Sequence, residues 1–168
     1  GARVAVAVTF SGLTGPLAGE VASLNQEADY VAVNYYPLNA DFTVRAPSTV
    51  HADFQAVVDR VPLLPIRFRE CGYPSAPLCN SSEAQQAQFV REVFTAWDKH
   101  ASRVEAVTFV WMHDASTQAL DEWEVYYGLS APAFRAYLSS LGMRHATGSG
   151  VDKPSWKALE AEALRRGW

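Results

Sequence analysis

Glu70 lies in the run IRFRECGYPS (66–75), where Pro65 precedes a short β-prone segment and Gly72 and Pro74 turn the chain directly afterwards. A lone carboxylate at the C-terminal tip of a strand, with a loop following, occupies the place where parallel α/β folds keep their reactive groups. Such a carboxylate can act as a nucleophile or as a general acid or base. Arg67 and Arg69 offer a plainer role, an ion pair at a strand end facing water. Ser11 follows Thr9 and Phe10 at the tip of the first strand-like run, and His113 and Asp114 end the last one. Ser11 as nucleophile, His113 as base and a carboxylate would form an esterase-like set. No G-x-S-x-G elbow accompanies Ser11, and a structural His113 bonded to a loop carbonyl is the plainer account of that residue. His51, His100 and His145 form no i, i+4 ligand pair, so neither a catalytic metal nor a cofactor is expected.

Cys71 and Cys79 flank a Pro-rich turn just beyond Glu70. A disulfide between them would staple that loop and would point to an oxidising compartment, hence to a secreted or periplasmic protein. Two reduced thiols are the alternative, because spacing alone does not give the Cα separation that a bridge requires. The run NSS (80–82) is formally a glycosylation acceptor, but Ser82 opens a capping-box pattern, SEAQ (82–85), which accounts for it.

The elements that must position these groups alternate. Residues 3–10 (RVAVAVTF) read as a strand buried on both faces, and residues 17–28 as a helix with Leu17, Val21 and Leu24 on one stripe. Residues 30–36 (YVAVNYY) form a second strand stopped by Pro37, and residues 51–61 a helix facing inward through Phe54, Val57, Val58 and Val61. A third strand covers residues 63–68, and a long helix runs from Ser82 to about His100, burying Val90, Val93, Phe94 and Trp97. Residues 104–111 (VEAVTFVW) form the fourth strand. A Trp- and Tyr-rich stretch follows, with Trp123 to Tyr127 read as a loop, and Pro154 starts a last helix burying Trp156, Leu159 and Ala163. This β-α repeat implies right-handed crossovers and a parallel sheet, a (β/α)4 arrangement amounting to half of an eight-stranded barrel.

The 168 residues are expected to form a single domain, with 49% hydrophobic and 19% charged residues, as in ordinary globular proteins. A net charge of −4 gives no basic footprint, so no nucleic-acid partner is expected, and no apolar run reaches the length of a membrane span.

The ordered set NYYP (34–37), RECGYPS (69–75), QAQFV (86–90), FVWMHD (109–114) and KPSW (153–156) resembles the C-terminal half of a clan A glycoside hydrolase barrel, closest to endo-β-1,4-galactanase-like enzymes and their secreted bacterial cousins. The resemblance implies a hydrolase acting on a β-linked glycoside, with Glu70 as nucleophile on the seventh barrel strand. It implies Asn34, Tyr35 and Tyr36 near the sugar, and Trp111 as the apolar floor beneath a sugar ring. In that clan the acid/base carboxylate stands on the fourth strand, and this chain corresponds to strands five to eight. A retaining mechanism needs two carboxyl groups about 5–5.5 Å apart. Three resolutions are open: the chain is a piece of a longer protein, two copies close the ring as a homodimer with Asp114 or His113 of the neighbour approaching Glu70, or the half barrel has another chemistry, the esterase set above. A non-catalytic carbohydrate-binding remnant is a further alternative.

Overall fold

The computed structural model describes residues 1–146 and 151–168. Four strands, β1 (Ala7–Thr9), β2 (Val31–Tyr35), β3 (Ile66–Cys71) and β4 (Val104–Phe109), form one sheet in the order β1-β2-β3-β4, and every pairing is parallel. The connections are α1 (Phe10–Thr14) and α2 (Ala18–Leu24), then α3 (Val50–Arg60), then α4 (Glu83–Lys99). After β4 come α5 (Thr117–Tyr127), α6 (Pro132–Ser139) and α7 (Pro154–Arg165). The expected parallel β/α alternation is therefore present. The first strand is three residues long rather than eight, and the Trp- and Tyr-rich stretch contains two helices where a loop was expected.

Local chemistry explains the boundaries. Ser82 caps α4 by accepting the Gln85 N–H, Ser116 caps α5 by accepting the Ala119 N–H, and Gly128 ends α5 in the left-handed conformation. Pro132 and Pro154 sit in first helical turns, where a missing N–H costs nothing.

The core lies between one face of the sheet and α3 and α4. Val31, Val33 and Tyr35 of β2 and Ile66, Phe68 and Cys71 of β3 meet Phe54, Val57, Phe89 and Val93 there. Phe54 stacks on Phe68 at 4.1 Å between ring centroids. The opposite face carries Asn34, Arg67 and Glu70 beside small residues such as Ala32 and Ala106, not the branched aliphatics that fill closed barrels. Arg67 on that face is bonded to Glu105 through Nε at 2.8 Å and lies over the Tyr30 ring.

β3 breaks its own alternation. Val33 pairs with Phe68 but Asn34 pairs with Glu70, so Arg69 is an extra residue, a β-bulge. Strict alternation from Ile66 and Phe68 would have sent Glu70 into the helical core. The bulge reverses the parity, and Cys71 takes the core position instead. Cys71 and Cys79 are consequently free thiols in different apolar clusters, and the expected disulfide is not formed. Cys71 faces α3 and α4, whereas Cys79 packs under α6 with its Sγ 3.8 Å from the Ala133 carbonyl. Burial pushes both thiols up, Cys79 to about 11.

Candidate functional site

Glu70 is held at both oxygens. Tyr36 donates its hydroxyl to Oε2 at 2.9 Å, and Arg69, the bulge residue, donates to Oε1 at 3.0 Å. Tyr36 follows the last residue of β2, and buried Pro37 turns the chain after it. Burial pushes the Tyr36 hydroxyl far above its ordinary range, reinforced by neighbouring Tyr137 and Glu70, so it remains a protonated donor. Tyr137 of α6, also shifted upward by burial, meets Tyr36 edge-on at 5.8 Å.

These groups floor a cleft of about 380 Å³. Its walls come from the chain end of β4, from α5 and from α6: Trp111, Trp123, Tyr127, Phe134 and Tyr137. Trp111 and Trp123 lie 4.8 Å apart between ring centroids with a 33° tilt, and the Val110–Trp111 peptide is cis. Glu70 is the single carboxylate among the residues that line the cleft. The arrangement can hold an apolar ring face against indole and present one oriented carboxylate to it.

Gly72 makes the close approach possible. A Cβ there would stand 2.6 Å from Tyr36 Cε1, and no side chain fits. Gly142 does the same at the cleft's rear, where a Cβ would stand 2.1 Å from the Asp114 nitrogen. That closeness lets Met143 and Arg144 donate their N–H groups to the Trp111 and Met112 carbonyls, both at 2.9 Å, pinning the segment that carries Trp111.

The anticipated site residues divide. Glu70, Tyr36 and Trp111 come together in the cleft. Tyr35 does not; the pleat turns it into the core, fully buried, where it donates to Asp53 at 2.7 Å. Asn34 is the sheet neighbour of Glu70 but lines a different cleft. Asp114 is tied to buried Lys153 at 2.6 Å and to the Gly142 N–H at 3.0 Å. Burial pushes its carboxyl up, against the lowering influence of that ammonium. Ser11 lies in α1 next to β1, and His113 lies beyond β4 in a bridge with Arg144. β1 and β4 are opposite edges of the sheet, three strand spacings or about 14 Å apart, so a Ser11–His113 dyad is not assembled.

Tyr137 and Phe134 are site residues that the sequence reasoning passed over. The signal was present as the Phe134/Tyr137/Leu138 spacing, which places three apolar groups on one face of α6.

No protein-family model and no curated protein sequence matches the chain. Solved structures do. A GH10 endoxylanase retrieved from sugarcane soil metagenome matches with a TM-score of 0.60 at 12% identity, over 96% of this chain and 49% of that one. A xylanase from Cellvibrio japonicus, as a thermostable mutant, gives 0.59 at 14% identity, over 96% and 50%. A β-glucuronidase from Ruminococcus gnavus in complex with D-glucuronic acid gives 0.63 at 16% identity, over 96% and 26%.

The fold is that of part of a parallel β/α barrel, as in these structures. At these identities the likeness concerns the fold alone. The chain spans about half the length of the xylanases it matches.

Proposed function

We propose that the Glu70 cleft takes a β-linked glycoside and that Glu70 is the nucleophile that attacks its anomeric carbon. The observation that carries this reading is the bulge at Arg69, which turns Glu70 out of the core and delivers it, oriented by Tyr36 and Arg69, to the floor of an aromatic cleft. A sugar ring resting on Trp111 would present its axial C–H groups to the indole. Glu70 would then form a bond from an oxygen to the anomeric carbon as the glycosidic C–O bond breaks and the leaving oxygen departs with the electron pair.

Protonation of that leaving oxygen needs a second carboxyl group, and the cleft lining holds none besides Glu70. In this reading the acid/base comes from outside the residues that line the cleft, from further chain or from a second copy. Asp114 of a second copy is a poor donor of that role because Lys153 already holds it.

An activated substrate removes the need for the acid. A 2,4-dinitrophenyl 2-deoxy-2-fluoro-β-glycoside releases a phenolate that requires no proton, so the nucleophile alone suffices for the first step. Incubation with the xyloside, galactoside and glucuronide forms should add one fluoroglycosyl unit to the chain. Peptide mass mapping should place that unit on Glu70, with none in Glu70→Gln. Labelling that persists in Glu70→Gln would assign the nucleophile elsewhere.

The solitary carboxylate also favours a second reading, a carbohydrate-binding module without turnover. That reading predicts no covalent adduct, together with saturable sugar binding that Trp111→Ala abolishes.

A further inference from the structure

The opposite end of the sheet carries a cleft of different chemistry. It measures about 550 Å³ and lies between α2 and the C-terminal end of α3. Val31 opens β2 and Leu64 shortly precedes β3, so this cleft sits where the strands begin, whereas Glu70 stands where they end. We propose that it binds an aliphatic acid with a hydroxyl group close to its carboxylate, a hydroxy fatty acid. The proposal is independent of the reading of the Glu70 cleft.

Three observations give the ligand its chemistry. The walls include Leu13, Val21, Val31, Val61 and Leu64, and the lining holds neither an aromatic ring nor a carboxylate. No flat face is offered to a sugar ring, but branched aliphatic walls suit a methylene chain. Asn25, which follows the last residue of α2, also lines the cleft and is 5% exposed. Its Nδ2 donates to the Val21 carbonyl at 2.9 Å, which fixes the amide, and its buried Oδ1 has no hydrogen-bond donor among the described residues. A buried acceptor without a donor is costly, and a hydroxyl from a ligand in the cleft would satisfy it. Arg60, the last residue of α3, is exposed in the same lining and pairs with no carboxylate among the described residues. Its guanidinium is therefore available to grip a carboxylate through two parallel hydrogen bonds.

Each of these groups rules out a simpler ligand. A hydrocarbon would leave both Asn25 and Arg60 unused, and a plain fatty acid would leave Asn25 unsatisfied. A cationic amphiphile would meet Arg60 with like charge. An acyl chain with an anionic head and a neighbouring hydroxyl uses all three.

The test is calorimetric titration of the whole chain, below micelle-forming concentrations, with 3-hydroxydecanoate, decanoate and decyltrimethylammonium. 3-Hydroxydecanoate should bind one to one and about fivefold more tightly than decanoate, as one added hydrogen bond implies. Decyltrimethylammonium should show no saturable binding. Arg60→Gln should weaken both acids by roughly tenfold with their ratio unchanged, whereas Asn25→Ala should bring that ratio toward one. A Cβ at Gly19, in the wall formed by α2, meets nothing within 4 Å. Gly19→Leu therefore adds bulk to the cleft wall while improving helix propensity, so this variant stays folded and should lose both acids. Saturable binding that survives Gly19→Leu overturns the proposal, and so does equal affinity for the two acids. No binding of either acid up to about 1 mM, the weakest affinity worth calling specific, overturns it too. In a flotation assay with phosphatidylglycerol vesicles the chain should remain unbound. Vesicle association that Gly19→Leu abolishes would assign the cleft to a membrane surface and overturn the free acid as its ligand.

Discussion

Tyr36 gives Glu70 a hydrogen bond that stays protonated across the usable pH range, because burial keeps the phenol from ionising beside a carboxylate. A hydrogen bond to a charged group contributes about 1.5–3 kcal/mol. Tyr36→Phe should therefore reduce the rate of covalent labelling of Glu70 by roughly ten- to a hundred-fold, while the aromatic packing on Tyr137 persists. Stopped-flow release of dinitrophenolate measures this directly, and an unchanged rate would remove Tyr36 from the reactive unit. Gly72 acts one step back. The ring of Tyr36 occupies the space that a Cβ at residue 72 would need, so Gly72→Ala must push the ring away from Glu70. The expected result is a labelling defect at least as large as that of Tyr36→Phe, with a lowered melting temperature besides. A Gly72→Ala protein with wild-type labelling and stability would show that the approach is not constrained.

At the scale of elements, the sequence carried the alternation of strands and helices and the caps that bound them. It carried neither the bulge nor the helices after β4. Residues 66–71 read as strand whichever parity they take, and a bulge is decided by pairing with a neighbouring strand that local sequence does not contain. For the same reason Tyr35 and Tyr36 were indistinguishable as letters, although the pleat sends one to Asp53 and the other to Glu70. Trp123 to Tyr127 looked like loop because aromatics are weak helix formers, yet the Ser116 cap, Gly128 and contact with α6 make a helix of it. The cysteines misled because their sequence spacing is compatible with a loop-closing bridge, whereas strand parity separates the two thiols into different clusters. The pinned run after α6 yields a prediction of its own. Gly142→Ala would force the backbone away from His113 and Asp114, loosening the hydrogen bonds to Trp111 and Met112. Sugar binding should weaken although residue 142 is not among the residues lining the Glu70 cleft, and near-ultraviolet circular dichroism should report a changed Trp environment. Intact sugar affinity in a folded Gly142→Ala protein would refute this positioning role.

At the scale of the molecule, the sheet ends in two edges, the outer sides of β1 and β4, that pair with no other strand among the described residues. Open parallel edges template association with other chains, and Val4 and Val6 beside β1 are 62% and 40% exposed. Two copies related by a two-fold axis would place β1 of each against β4 of the other and close eight strands. That assembly would bury both edges and enclose Arg67 of the polar face, with Glu70 at the mouth of the ring. We therefore expect light scattering on the chain to give twice the 18.4 kDa of one copy. Val6→Lys, which sets a charge beside the β1 edge, should shift that mass toward the monomer without unfolding the protein. A monomeric mass at concentrations up to roughly 100 µM, weaker than the micromolar affinity expected of a specific interface, would dismiss the two-fold ring. The second carboxyl group would then have to come from polypeptide beyond these strands or be absent altogether. In the latter case the covalent labelling of Glu70 would proceed but turnover of unactivated glycosides would not, leaving a competent nucleophile without the acid that such glycosides require.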